Sequence, residues 1–315
     1  MSTGGEGYFS RLSATVGDGW TRFWFTPTEA TTVSAMRLLV GLIAVYLHAT
    51  LSFDLVEFFG PAGLIPVAEV SPLEANTFSY LNFATGTAEL WIMHLAGLAV
   101  LVLFAVGLWT RVTSILALVV FLSVVNRGPM ITGRTEIIVA MLMLYLCVAP
   151  CGQRFSLDAL RAAKKSRPAS EPRLFTTATI ATRLIQVHLC LLLAMMGFSQ
   201  LGGEVWWEGT GIWFLITRQH SRLFDFTGLE SSPLLVNAWS HLIVGYELAF
   251  AVLIWVPIFR PLLLALGVLV WGSLALVTGD LTCAMALLAA SLAFVRPQTI
   301  EAVSKRWQQR RAHAA

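Results

Sequence analysis

Nine ionisable side chains fall inside or at the edges of long apolar runs: Arg37, His48, His94, Arg134, Glu136, Arg183, His188, His241 and Glu247. The amides Gln186 and Gln200 join them. Placing such groups in hydrocarbon is costly, so each is a candidate for ligand binding or proton chemistry. Spacing sorts them. Arg37 and His48 stand eleven residues apart, close to three helical turns, and share a face. Arg183, Gln186, Cys190, Ala194, Gly197 and Gln200 recur at steps of three or four, which makes one stripe of small and polar side chains. Small residues let helices approach closely, so this stripe is expected to face neighbouring helices. His241 and Glu247, six residues apart, fall on different faces of their helix. No histidine pair has metal-ligand spacing and there is no HExxH run, so no metal site is expected. Cys147, Cys151, Cys190 and Cys283 show no CxxC pattern and read as packing residues. The nucleophile elbow, the P-loop and the dinucleotide fingerprint are all absent.

The elements that must hold these residues are membrane helices. Of 315 residues, 57% are apolar and 12% charged, against about 25% charged in soluble domains. The apolar residues come in runs near the roughly 20 residues that span a bilayer as helix, with none of the short alternating segments of a transmembrane barrel. Spans are predicted at about 32–53, 88–108, 111–126, 130–150, 178–201, 234–257, 260–279 and 282–295. The fold class is therefore all-α: a polytopic membrane bundle of about eight transmembrane helices. Most of the 21 Lys and Arg fall on one side of this arrangement. Basic residues collect in short cytoplasmic loops, so both termini are expected in the cytoplasm, as in an inner-membrane protein. With a net charge of only +3, no nucleic-acid surface is expected.

Residues 1–30 read as a cytoplasmic and interfacial segment, 31–296 as the transmembrane domain, and 297–315 as a basic cytoplasmic tail. The aromatic run Trp20, Phe23, Trp24, Phe25 suits a short helix over residues 8–25 lying on the inner surface. The polar, basic inner loop 151–177 divides two halves that open alike, Ala35-Met-Arg37-Leu-Leu against Ala181-Thr-Arg183-Leu-Ile. Two outer loops, 54–86 and 202–233, are long and rich in Gly and aromatic residues, so they are expected to pack as caps or re-entrant segments.

Particular stretches resemble a known family. Trp20-Thr-Arg-Phe-Trp-Phe-Thr-Pro27 leading into Met36-Arg37-Leu-Leu-Val-Gly41 looks like the opening of the horizontally transferred transmembrane (HTTM) domains, which are similar to vitamin K-dependent gamma-carboxylase. Phe58-Phe-Gly60, Ser156-Leu-Asp158, and the stretch from Arg183-Leu-Ile-Gln186 through Gly197-Phe-Ser-Gln-Leu201 to Trp206-Trp-Glu-Gly209 fit the same pattern. The resemblance implies a membrane carboxylase that couples oxidation of a reduced naphthoquinone to proton abstraction from a substrate glutamate. In that family a lysine deprotonates the hydroquinone. Here its position reads Gln200, which has no proton to exchange. The only lysines, Lys164, Lys165 and Lys305, fall in predicted cytoplasmic segments. The family's carbanion-stabilising histidine would fall near Arg134 or Thr135, where no histidine stands. The large extramembrane domain that holds the carboxylase's protein substrate has no counterpart after the last span.

The resemblance thus implies an apolar pocket for a quinone or lipid without authentic carboxylation. In that reading Arg37, His48, Arg183, Gln186, His188 and Gln200 are candidate ligand contacts, with Trp206 and Trp207 capping the entrance. A divergent quinol-dependent enzyme is the alternative, with His220, His241 or Glu247 as the base near the outer face. A structural partner subunit is the third. No cofactor is assigned beyond the reduced quinone that the resemblance suggests, and the one partner expected is the lipid bilayer.

Overall fold

A computed structural model describes residues 8–65, 78–165, 173–218 and 223–314. All eight expected spans are helical. In chain order α1 is Tyr8–Phe25, α2 Thr31–Thr50, α3 Leu55–Phe59, α4 Thr87–Val106, α5 Thr110–Arg127, α6 Arg134–Val148 and α7 Leu157–Lys165. The second half follows with α8 Thr176–Leu201, α9 Glu204–Trp207, α10 Gly211–Ile216, α11 Pro233–Leu253, α12 Arg260–Thr278, α13 Leu281–Ser291 and α14 Pro297–Ala314. The interfacial helix predicted over 8–25 is α1, at those bounds.

Among the described residues six helices, α2, α4, α5, α8, α11 and α12, are long and apolar enough to cross a membrane, or up to seven if the bent pair Leu281–Phe294 and Pro297–Arg306 counts as one span. This is fewer than the eight expected because α6 has 15 residues and α13 only 11. Each buries one face in the bundle and leaves the other outward, with Ile137 and Leu144 of α6 and Met285 of α13 exposed. Ala284, Ala286, Ala289 and Ala290 of α13 are buried, and their small side chains let the helix seat closely against α2, α6, α8 and α12.

The outward faces carry the membrane signature. Leu42, Ile92, Leu95, Ile115, Leu122, Leu144, Leu191, Met195, Leu242, Val252 and Leu269 are all exposed, where a water-facing helix would carry charge. Inside, Met36, Phe104, Leu142, Leu189, Ile243 and Phe250 are fully buried in one continuous core. Gly41 brings α2 against α4: a Cβ there would lie 2.7 Å from the Ala105 backbone. The described parts of the two long loops pack down as caps. Leu55, Phe59, Ile65, Leu81 and Leu90 form a small second core, and Ile212 and Ile216 of α10 are buried in the main one.

The similar openings of the two halves also meet. A two-residue strand β1, Thr28–Glu29, pairs antiparallel with β2, Leu174–Phe175, through Thr28 opposite Phe175 and Glu29 opposite Leu174. Thr28 and Thr179 share a hydroxyl hydrogen bond at 3.0 Å. The first helix of each half therefore starts from one small ladder.

Arg37 ties down the end of the bundle nearest this ladder. It is fully buried, and its guanidinium donates to the carbonyl of Phe104 at 3.0 Å and to that of Phe155. Those carbonyls belong to the last turn of α4, where Phe104 also accepts from the Gly107 N–H at 3.1 Å, and to the loop before α7. Next to it the α4–α5 turn is tight, with Gly107 at φ 72° and Trp109 at φ 48°. A non-glycine residue in this region costs of order 1–3 kcal/mol and persists only where its surroundings hold it. Asp158 does so: its carboxylate accepts from the N–H groups of Trp109 and Thr110 at 3.0 and 2.8 Å and from the Thr110 hydroxyl at 2.7 Å.

Candidate functional site

A cavity of about 540 Å³ lies at the end of the bundle away from the β1–β2 ladder. Small-molecule pockets run at roughly 300–1,000 Å³. Met196 and Gln200 from the last turns of α8, Ile243 and Glu247 from the middle of α11, and Trp271 and Leu274 from α12 line its interior. Trp206 of α9 and Leu215 of α10 close it from the loop side. Arg134, Arg218, Thr278 and Asp280 stand around it as polar groups.

The stripe on α8 explains why Gln200 looks inward. Gln186, Cys190 and Gly197 on the same stripe are buried against neighbouring helices. Glu247 is fully buried on α11. Gln200 Nε2 approaches Glu247 Oε1 at 3.4 Å, the long edge of a hydrogen bond. That contact uses one donor and one acceptor. Gln200 Oε1 and Glu247 Oε2 are buried with no partner among the described residues. Buried polar atoms in folded proteins nearly always have partners, so two orphans on adjoining side chains mark an unfilled requirement.

The charges around the cavity are mixed. Asp280 caps α13, accepting from the Cys283 N–H and the Thr282 hydroxyl, each at 3.0 Å, and from the Thr135 hydroxyl at 3.3 Å. Arg134 and Arg218 form no ion pair among the described residues.

Four of the residues singled out in the sequence meet here: Arg134, Gln200, Glu247 and Trp206. The others do not. His241 is exposed on another face of α11, and its Nδ1 bonds the Asn237 carbonyl one turn back at 2.9 Å. Trp207 points away from the cavity and is 68% exposed. His188 is exposed on α8, bonded at 2.8 Å to the Tyr145 hydroxyl. His220 lies outside the described residues. Arg37 is occupied by backbone carbonyls, as described above.

Arg183 and Gln186 belong to a second cavity, of about 190 Å³, at the opposite end. Gln186 accepts from Arg183 Nη1 at 2.8 Å and donates to the Ala293 carbonyl at 2.6 Å, so both its polar groups are used. His48 lines a third cavity of about 270 Å³ with Asp54, Thr132 and Glu136. Its ring stacks on that of His94, centroids 4.3 Å apart, and its Nε2 donates to the His94 carbonyl at 3.1 Å. A carbonyl only accepts, so this nitrogen carries the proton. His94 Nε2 lies 2.7 Å from the Ser52 hydroxyl.

Two contributors to the main cavity escaped the sequence reading. Asp280 carried a signal, an aspartate just before an apolar run, which is a helix start. Trp271 carried none beyond being a tryptophan in mid-span. No group of three His, Cys, Asp or Glu able to hold a metal occurs among the described residues.

Searches for a matching protein family, a similar curated protein and a similar solved structure each find none.

Proposed function

We propose that this multi-pass membrane protein binds the ring of a quinol-type lipid in the Gln200–Glu247 cavity. The observation that carries the reading is the pair of orphaned oxygens, Gln200 Oε1 and Glu247 Oε2, beside a cavity walled by Trp206 and Trp271. An amide oxygen only accepts. A carboxyl group accepts when ionised and donates when protonated. The two together suit a ligand oxygen that itself exchanges a proton, as the hydroxyl of a hydroquinone does on becoming a quinone carbonyl. Aromatic walls suit a flat ring. The distribution of basic residues orients the cavity toward the non-cytoplasmic side, with both termini in the cytoplasm. In this reading the chain is a divergent relative of the HTTM and gamma-carboxylase-like proteins that keeps the pocket without the lysine.

A second reading rests on the same carboxylate. Glu247 is buried, holds an unpartnered oxygen and adjoins the cavity, which is the position a general base would take toward a bound hydroxyl.

Binding of a reduced naphthoquinone to the protein in lipid nanodiscs, under anaerobic conditions, tests the proposal through quenching of tryptophan fluorescence. Saturable quenching is expected, with the dissociation constant raised about tenfold or more in Glu247→Leu. Equal affinity in wild type and Glu247→Leu, or no saturable quenching, overturns it.

A further inference from the structure

We propose that the cavity formed by Arg183, Arg260 and Arg296 binds the phosphate of an anionic lipid headgroup, at the end of the bundle remote from the Gln200–Glu247 cavity. The three guanidinium groups line one space of about 190 Å³. None is neutralised: among the described residues none of the three forms an ion pair. Arg183 uses Nε on the Phe23 carbonyl and Nη1 on Gln186, which leaves Nη2. Arg260 bonds the Ile254 carbonyl through Nε alone, and the Arg296 side chain bonds no described residue. Glu29 is the one carboxylate lining the space, and it accepts from the Thr31 hydroxyl at 3.3 Å. Three cations against one anion leave an excess positive charge in a concave site. Two helices also begin there, α12 at Arg260 and α14 at Pro297, and the positive ends of their dipoles favour anions. Guanidinium forks match phosphate oxygens two at a time.

The surroundings choose a lipid as the source of that phosphate. The Arg183 guanidinium lies 4.4 Å above the Phe23 ring on α1. On the same helix Leu12, Val16 and Trp20, spaced by four, form an exposed apolar stripe. Such a helix lies at the headgroup level of a bilayer, which sets the three arginines beside the phosphate layer.

The test uses the purified full-length protein in detergent, with phosphatidylglycerol, phosphatidylcholine or inorganic phosphate added and retained lipid counted by native mass spectrometry. Phosphatidylglycerol is expected to be retained on the order of tenfold more tightly than phosphatidylcholine. The double variant Arg260→Gln with Arg296→Gln is expected to reduce its retention to the phosphatidylcholine level. Arg296→Gln alone, at an exposed side chain without internal bonds, lowers retention in part and guards against misfolding of the double variant. Displacement of the lipid by millimolar phosphate supports a site for the phosphate group whatever carries it, and no displacement supports one that also reads the lipid. Equal retention of the two lipids by wild type, or unchanged phosphatidylglycerol retention in a folded Arg296→Gln and in the double variant, overturns the proposal.

Discussion

Gln200 and Glu247, forty-seven residues apart in the chain, meet side chain to side chain at 3.4 Å at the edge of the 540 Å³ cavity. Gln200→Leu removes the neighbour of Glu247 Oε1 and leaves both carboxyl oxygens without a protein partner. Leaving a buried polar group unsatisfied costs about 1–3 kcal/mol. Thermal unfolding in detergent is expected to shift downward accordingly, and recovery on adding a reduced naphthoquinone would show the ligand supplying the lost bond.

Oxygenated buffer with a reduced naphthoquinone should yield no epoxide from the wild-type protein. No lysine lines the cavity, and a glutamine at position 200 cannot take a proton from a hydroquinone. Chromatographic assay for the epoxide decides it. Epoxide formed by wild type and abolished in Glu247→Gln would instead establish Glu247 as a working base.

Arg37 is a structural anchor, and its loss should be felt in stability before ligand binding. Arg37→Ala strands the carbonyl of Phe155, leaves that of Phe104 with the Gly107 N–H alone, and should cost about 1–3 kcal/mol. Gly107→Ala should destabilise the same corner, because the position has φ 72° and a Cβ there would collide with the Arg37 guanidinium. Melting temperatures of both variants, set against an unchanged naphthoquinone dissociation constant once folded, check the assignment.

Asp158 gives this corner a pH dependence. Burial pushes its carboxyl up, but hydrogen bonds from Thr110 and Trp109 outweigh this and hold it below the ordinary value of 3.8. A depressed value means that the stabilisation is complete above the ordinary value and is lost as pH falls through the folded one. Asp158→Asn should therefore cost about 1 kcal/mol at neutral pH, as loss of a helix cap does. The gap from wild type should close below pH 3.8 in paired melts across pH.

Gly41→Leu should force α2 away from α4, since even a Cβ at this site meets the Ala105 backbone at 2.7 Å. Overpacking of this kind costs typically about 1–3 kcal/mol. Expression and melting in detergent should both fall, while Gly17→Leu, where nothing lies within 4 Å, should leave both unchanged.

The helices were legible because an apolar run of spanning length admits only one backbone solution in lipid. The expected span 178–201 is observed as Thr176–Leu201, and the surface helix at its stated bounds. The inward stripe of α8 was legible too, since its small and polar residues recur at helical steps. The meeting of Gln200 with Glu247 was not. Periodicity shows which residues of one helix share a face, but not which turn of another helix lies opposite. Arg37 shows the same limit. Its spacing from His48 placed both on one face, yet its reach to carbonyls near residues 104 and 155 depends on how two loops fold back. Nothing in the sequence pairs His48 with His94, and their stacking follows from the close packing of α2 on α4.

The last apolar helix has a bearing on how the protein is made. Leu281–Phe294 packs against α2, α6 and α8, all of which leave the ribosome well before it. Those three must hold its seat open, or filled by lipid, until Leu281–Phe294 has been synthesised. A chain truncated before Leu281 would therefore reach the membrane with its helices inserted and its centre exposed, a form that quality-control proteases recognise.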